Sequence, residues 1–150
     1  MLLVTILPMV FVSITRLRIR SRRFLPMFVF YTLRALLQVR RANGFLGGSI
    51  LADRKWVFWT MTRWEGQAEM RRYMTSDAHL KAMPKLLDWC DEASVVHWTG
   101  SDEHPPTWQD ADARMRAEGR PSKVRNPSSN HHDLSYRPPT TTIAIPIGPT

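Results

Sequence analysis

One histidine, His79, stands among methionines and alanines in the run RWEGQAEMRRYMTSDAHLKAM, residues 63–83. An imidazole with an ordinary pKa near ~6.5 can take a proton from a phenol, or bind haem iron through a neutral ring nitrogen. Helical spacing puts His79 on one face with Met83 and near Tyr73, directed into a pocket. Tyr73 and Met83 are therefore candidate substrate contacts. The same residue types also serve as a hydrogen-bonded core or capping histidine and its neighbours, and both readings stay open. His97 lies in ASVVHW, where Val96 and Trp98 point the other way, so it faces a pocket or a subunit seam. Trp59 and Trp64 are candidates for stacking on a flat aromatic or isoprenoid-like ligand, or plain core. Alternation puts them on opposite faces, so at most one lines a given pocket.

Other reactive residues carry less. Cys90 follows Trp89 in an acidic turn, residues 88–92, which raises a thiol pKa and makes it a small apolar filler rather than a nucleophile. His131 and His132 are adjacent but lack two further ligands, so no metal site is expected. No nucleophile elbow, phosphate loop, dinucleotide fingerprint or paired-carboxylate arrangement is present.

The elements that must position these residues follow from periodicity. Val10 to Arg20 reads as a strand, and residues 23–42 as a helix with Pro26 in its first turn and Asn43-Gly44 as its stop. FLGGSILA reads as a second strand whose glycine pair signals a bulge or a close backbone approach. KWVFWTMTR is the third strand. Helical spacing resumes at Gln67, with Ser76 capping a further segment that Pro84 should kink or restart. ASVVHW is the fourth strand. This order predicts an α+β, ferredoxin-like split βαβ (βαββαβ) over residues 9–100, with helices on one sheet face. Residues 101–119 form a helical extension capped by Thr107, and the proline-rich residues 120–150 an extended or disordered tail.

Both faces of the third strand carry large apolar groups: Trp56, Phe58 and Trp64 on one, Val57, Trp59 and Met61 on the other. A sheet with helices on one side only would then bury its bare face against a second copy, giving a homodimer. The alternative is that the C-terminal segment folds back over it. A pocket for a hydrophobic or aromatic ligand would lie between helices and sheet.

Composition sets the remaining bounds. Residues 1–52 hold eight arginines and no acidic residue, and the remaining 13 basic residues are balanced by 13 acidic ones. Arg16, Arg18 and Arg20 alternate onto one side of a strand, read as a solvated face rather than a nucleic-acid or membrane patch. One cysteine excludes an internal disulfide, and a reducing, cytoplasmic compartment is expected. The opening MLLVTILPMVFV lacks a positive n-region and is too short to span a bilayer, so neither a secretory signal nor a membrane partner is expected, and Met9 is a candidate initiator.

Trp64-Glu65-Gly66, then Met70, Tyr73, Ser76-Asp77-Ala78-His79-Leu80 and Met83, resemble the signature of the antibiotic-biosynthesis-monooxygenase superfamily of dimeric α+β barrels. Asp88-Trp89-Cys90, Val95-Val96-His97-Trp98 and Pro106-Thr107-Trp108 resemble more closely an uncharacterised branch related to spheroidene monooxygenase. The resemblance implies a monooxygenase with either no cofactor or haem, or a non-catalytic ligand-binding module. The haem-degrading branch places its histidine one helical turn on, where this chain has Met83. A haem version would use His79 or His97 as axial ligand.

Overall fold

The computed structural model describes residues 8–101, 104–140 and 143–150. Residues 1–7, and with them most of the opening stretch, lie outside the described residues. The elements are β1 (Met9–Ile19), α1 (Leu25–Arg40), β2 (Phe45–Ala52), β3 (Val57–Trp64), α2 (Gln67–Met74), α3 (Asp77–Trp89), β4 (Cys90–Ser101), α4 (Trp108–Glu118), β5 (Arg120–Pro121) and β6 (Ala144–Ile147). They build one antiparallel sheet in the order β5-β4-β1-β3-β2-β6. The inner four strands, β4-β1-β3-β2, and their helices are the expected ferredoxin-like α+β arrangement.

Local chemistry accounts for the joints. Pro26 opens α1, where its missing N–H costs nothing, and Gly44 at φ 82° turns the chain out of the helix into β2. The glycine pair of β2 does both things expected of it. Its register against β3 shifts between Phe45 and Gly47, and a Cβ on Gly48 would overlap the Met61 carbonyl oxygen. Gly48→Ala should therefore cost about 1–3 kcal/mol by overpacking. A lower urea midpoint at an unchanged slope is the expected readout, and an unshifted midpoint would contradict the close approach.

Four expectations are corrected. β3 begins at Val57, because Lys55 and Trp56 both adopt positive φ in a tight turn. Pro84 restarts no helix, since α3 is continuous from Asp77 to Trp89. The acidic stretch before the fourth strand is no turn, since β4 starts at Cys90 and carries Asp91 and Glu92 within it. Residues 120–150 are not a tail without a core: they pair at both sheet edges, and Tyr136, His131 and Ile147 are buried.

That last correction removes the bare sheet face. On the side away from α1, α2 and α3, Val12, Ile14, Trp59, Met61 and Val96 pack against Ala111 and Met115 of α4 and against Tyr136. The chain itself closes the face that a second copy was expected to cover. Polar anchoring comes from Arg16, expected to be solvated but buried here. Its Nη1 donates to Glu92 Oε1 at 2.7 Å, while Arg18 Nη1 and Ser128 Oγ donate to Glu92 Oε2 at 2.8 and 2.9 Å. The Arg16 guanidinium also lies 4.0 Å from the Tyr136 ring centre. Burial alone would raise the Glu92 carboxyl, but these hydrogen bonds outweigh it and hold the group below its ordinary value.

Candidate functional site

Between the sheet and the layer formed by α1 and α3 lies a cavity of about 430 Å³. Its size falls in the range of small-molecule sites. Its floor is set by β1 and β3, where Ser13 pairs with Thr62 and Thr15 with Thr60, so four hydroxyl side chains share the cavity side. Phe28 and Tyr31 of α1 and Leu86 of α3 supply apolar wall. The floor exists because small residues occupy alternate positions of the two central strands, leaving space beneath the helices.

His79, Tyr73, Met83 and His97 all line this cavity. His79 is held on three sides. Its backbone N–H donates to Gln38 Oε1 at 3.0 Å, its Nδ1 lies 3.2 Å from the Met74 carbonyl oxygen, and its ring is 4.8 Å from that of Tyr73. A carbonyl can only accept, so Nδ1 carries the hydrogen and Nε2 keeps a lone pair. Burial pushes the His79 pKa down, against the opposing Met74 bond, and keeps the ring neutral at neutral pH. Tyr73 is oriented by its hydroxyl, which donates to the Ala35 carbonyl oxygen at 3.1 Å, and burial raises its pKa. His97 sits 5.4 Å from the Phe11 ring, and burial, then the charges of Arg120 and Arg71, lowers its pKa.

The tryptophans lie elsewhere. Trp59 is fully buried on the opposite sheet face beside Trp108 and Tyr136, so its expected role in holding a ligand ring here is corrected. Trp64 is on the helix side but is also fully buried, packed on Phe45 and, at 5.4 Å, on Tyr73, which it backs rather than joining the wall. Sequence reasoning missed the hydroxyl floor. Its signal was the period-2 placement of Ser13, Thr15, Thr60 and Thr62 on otherwise apolar strands.

Haem fits these residues in one respect only. A neutral imidazole whose other nitrogen donates to a carbonyl is a suitable axial ligand. Haem also brings two carboxylates, and Arg120, itself exposed, is the one guanidinium or ammonium group among the cavity's lining residues. The donor set does not fit haem. Among the described residues, no cluster of three His, Cys, Asp or Glu side chains could hold a metal ion. Cys90 is buried, its thiol pushed up to about 12 by burial and by Asp91.

Residues 37–122, more than half of the chain, match the family model described as a domain of unknown function, DUF3291. The chain belongs to the DUF3291 family. No curated protein matches it by sequence. Among solved structures, this DUF3291 chain resembles an antibiotic biosynthesis monooxygenase at 14% identity and a TM-score of 0.54, covering 63% of this chain and 99% of that one. It resembles a conserved protein from Methanosarcina mazei Go1 at 10% identity and a TM-score of 0.55, covering 61% and 92%. A mutant of SnoaB, a cofactor-independent oxygenase from Streptomyces nogalater, aligns at 14% identity and a TM-score of 0.50, covering 64% and 95%. At such identities the likeness is one of fold, and that fold is the one found in antibiotic-biosynthesis-monooxygenase-like proteins. No helix among the described residues of the DUF3291 chain is long and apolar enough to cross a membrane.

The histidines give the DUF3291 chain a testable pH dependence. His79, His97 and His131 all have pKa values lowered below 6.5, first of all by burial, and His131 Nδ1 accepts the Ala93 N–H at 3.3 Å. The unfolded chain therefore binds protons at these sites before the folded chain does. Their contribution is fully present above 6.5 and is lost as pH falls from there towards the lowered folded values. Urea midpoints at about pH 5 should lie below those at about pH 7.5, and equal midpoints would contradict neutral burial of these rings.

Proposed function

We propose that the cavity binds a hydrophobic, aromatic small molecule bearing a phenolic hydroxyl, and that the protein is a monooxygenase in which His79 starts oxidation of that molecule by O2. The observation that carries this reading is the His79 ring in the wall of a chamber with apolar walls and a hydroxyl floor, its Nδ1 tied to the Met74 carbonyl, which leaves the Nε2 lone pair over. Nε2 takes the phenol proton, and the phenolate gives one electron to O2. The radical pair joins at a ring carbon, protonated His79 returns its proton to the peroxide oxygen, and the hydroperoxide so formed loses water, taking the hydrogen of that ring carbon, to leave a quinone carbonyl. One oxygen atom ends on carbon and the other in water, and the substrate supplies all the electrons. Tyr73 and Met83 contact the ring, His97 lies at the β4 side, and the floor hydroxyls receive the oxygen substituents. SnoaB, of like fold, is by its description a cofactor-independent oxygenase, in keeping with this chemistry.

One observation favours a second reading, a non-catalytic ligand-binding module. The Tyr73 hydroxyl is committed to the Ala35 carbonyl and its ionisation is suppressed, so it gives His79 no acid–base partner. Thermal unfolding and oxygen-electrode traces with 1-naphthol and larger fused-ring phenols separate the two. A rise in unfolding temperature with oxygen uptake and quinone absorbance supports the monooxygenase. A rise without uptake assigns the binding module, and no rise with any phenol rejects both.

A further inference from the structure

We infer that the outer face of α1 docks the protein onto an anionic lipid surface. At about 100° per residue, the solvent side of this helix presents Leu33, Leu37 and Phe30 down its middle, with Leu33 57% and Leu37 60% exposed. On the helix itself Arg40 falls on one flank of that strip and Arg34 on the other, and Arg41 at the helix C-cap borders the same groove as Arg34 and Leu37. A helix at a protein surface ordinarily turns its polar residues outward along the middle of its exposed face. Here the inner face is also apolar, with Phe28 and Val39 buried, so the exposed strip is surplus to folding. Leu80 and Met83 of α3 are also exposed, and Met83 lines the cavity as well.

Charge selects the occupant. No acidic residue occurs in residues 1–52, and the groove where α1 meets α2 and α3 is bordered by Arg34, Arg41, Arg72 and Lys81 against Glu69 and Asp77. A second copy on a two-fold axis would set these arginines against their own equivalents. Nucleic acid would match the arginines but leave leucine and phenylalanine facing phosphates. Basic flanks around an apolar strip match a bilayer interface, where arginines meet lipid phosphates and the strip enters the acyl boundary. The docking stands independently of the chemistry inside the cavity.

Sedimentation of the full chain with vesicles tests this. Phosphatidylcholine vesicles rich in phosphatidylglycerol should bind at least about tenfold more tightly than phosphatidylcholine alone, and added salt should weaken binding. Each basic side chain near such a surface is worth about fivefold, so Arg34→Glu/Arg41→Glu should lose at least about 25-fold. Leu33→Ser/Leu37→Ser should also lose binding while unfolding at the wild-type temperature. Arg114→Glu/Arg137→Glu, on exposed residues of α4 and the C-terminal segment, should stay within about twofold. Equal binding of both vesicle types overturns the inference, as does loss in the Arg114/Arg137 control equal to that in the α1 variants. So does a wild-type dimer that Leu33→Ser/Leu37→Ser dissolves, or tighter binding to duplex DNA than to the anionic vesicles.

Discussion

Glu92→Ala lowers the free energy of unfolding by about 3–5 kcal/mol. The size follows from what is left behind. Arg16 is 4% exposed, its Nη1 loses the 2.7 Å partner, and its Nε already has none. A buried guanidinium without a carboxylate must draw water into the layer beneath Tyr136 or push the C-terminal segment away. Arg18 has an escape that Arg16 lacks, since it is 35% exposed and can turn to solvent. Ser128 would lose its anchor on Glu92 at the same time, so the substitution loosens the cover as well as the pair. The control is Arg16→Met/Glu92→Leu, which removes both charges and should recover most of the loss. Urea denaturation of the three proteins decides it. A single substitution costing under about 1 kcal/mol, as an exposed pair would, contradicts the buried bridge.

His79→Gln lowers kcat/KM for the phenol by about 10²–10⁴-fold, the range for losing a positioned general base. Glutamine keeps a polar side chain at the cavity wall, so ligand binding measured by thermal shift should change far less than turnover. The pH profile carries the sharper signature. Burial lowers the His79 pKa below 6.5, so the base form persists through neutrality and kcat/KM falls only as pH drops through that lowered value. The variant should lose this acid limb along with the rate. Equal activity in the two proteins, or an acid limb kept in His79→Gln, assigns the proton transfer to another group.

How much of this was legible beforehand depends on what kind of signal each feature leaves. The ferredoxin-like order was legible because alternation in β1 and β3 and helical spacing after Gln67 are strong periodic patterns, and the bulge in β2 was marked by adjacent glycines. The roof of the cavity was legible for the same reason, as His79, Tyr73 and Met83 share spacing on consecutive helices. The C-terminal cover was not, because a segment rich in proline and serine can still be fixed by a single aromatic such as Tyr136 and by one hydroxyl on Glu92. Arg16 was misread for a related reason. Alternation puts a side chain on a face but does not say whether a distant segment will cover that face. Trp59 shows the limit of residue type: stacking chemistry is identical on either side of a sheet, and only the position of α4 and Tyr136 decides that this ring is core. The hydroxyl floor was missed because serine and threonine in strands are ordinary unless the space above them is known.

The most direct measurement is ¹⁵N NMR of the histidine rings in the 150-residue protein at neutral pH, with His79 assigned by its disappearance in His79→Gln. The expected spectrum shows a neutral His79 with its hydrogen on Nδ1, and an Nε2 resonance that moves when a fused-ring phenol is added. An imidazolium, a hydrogen on Nε2, or a bound phenol that leaves the His79 resonances in place would contradict a ligand cavity built around this base.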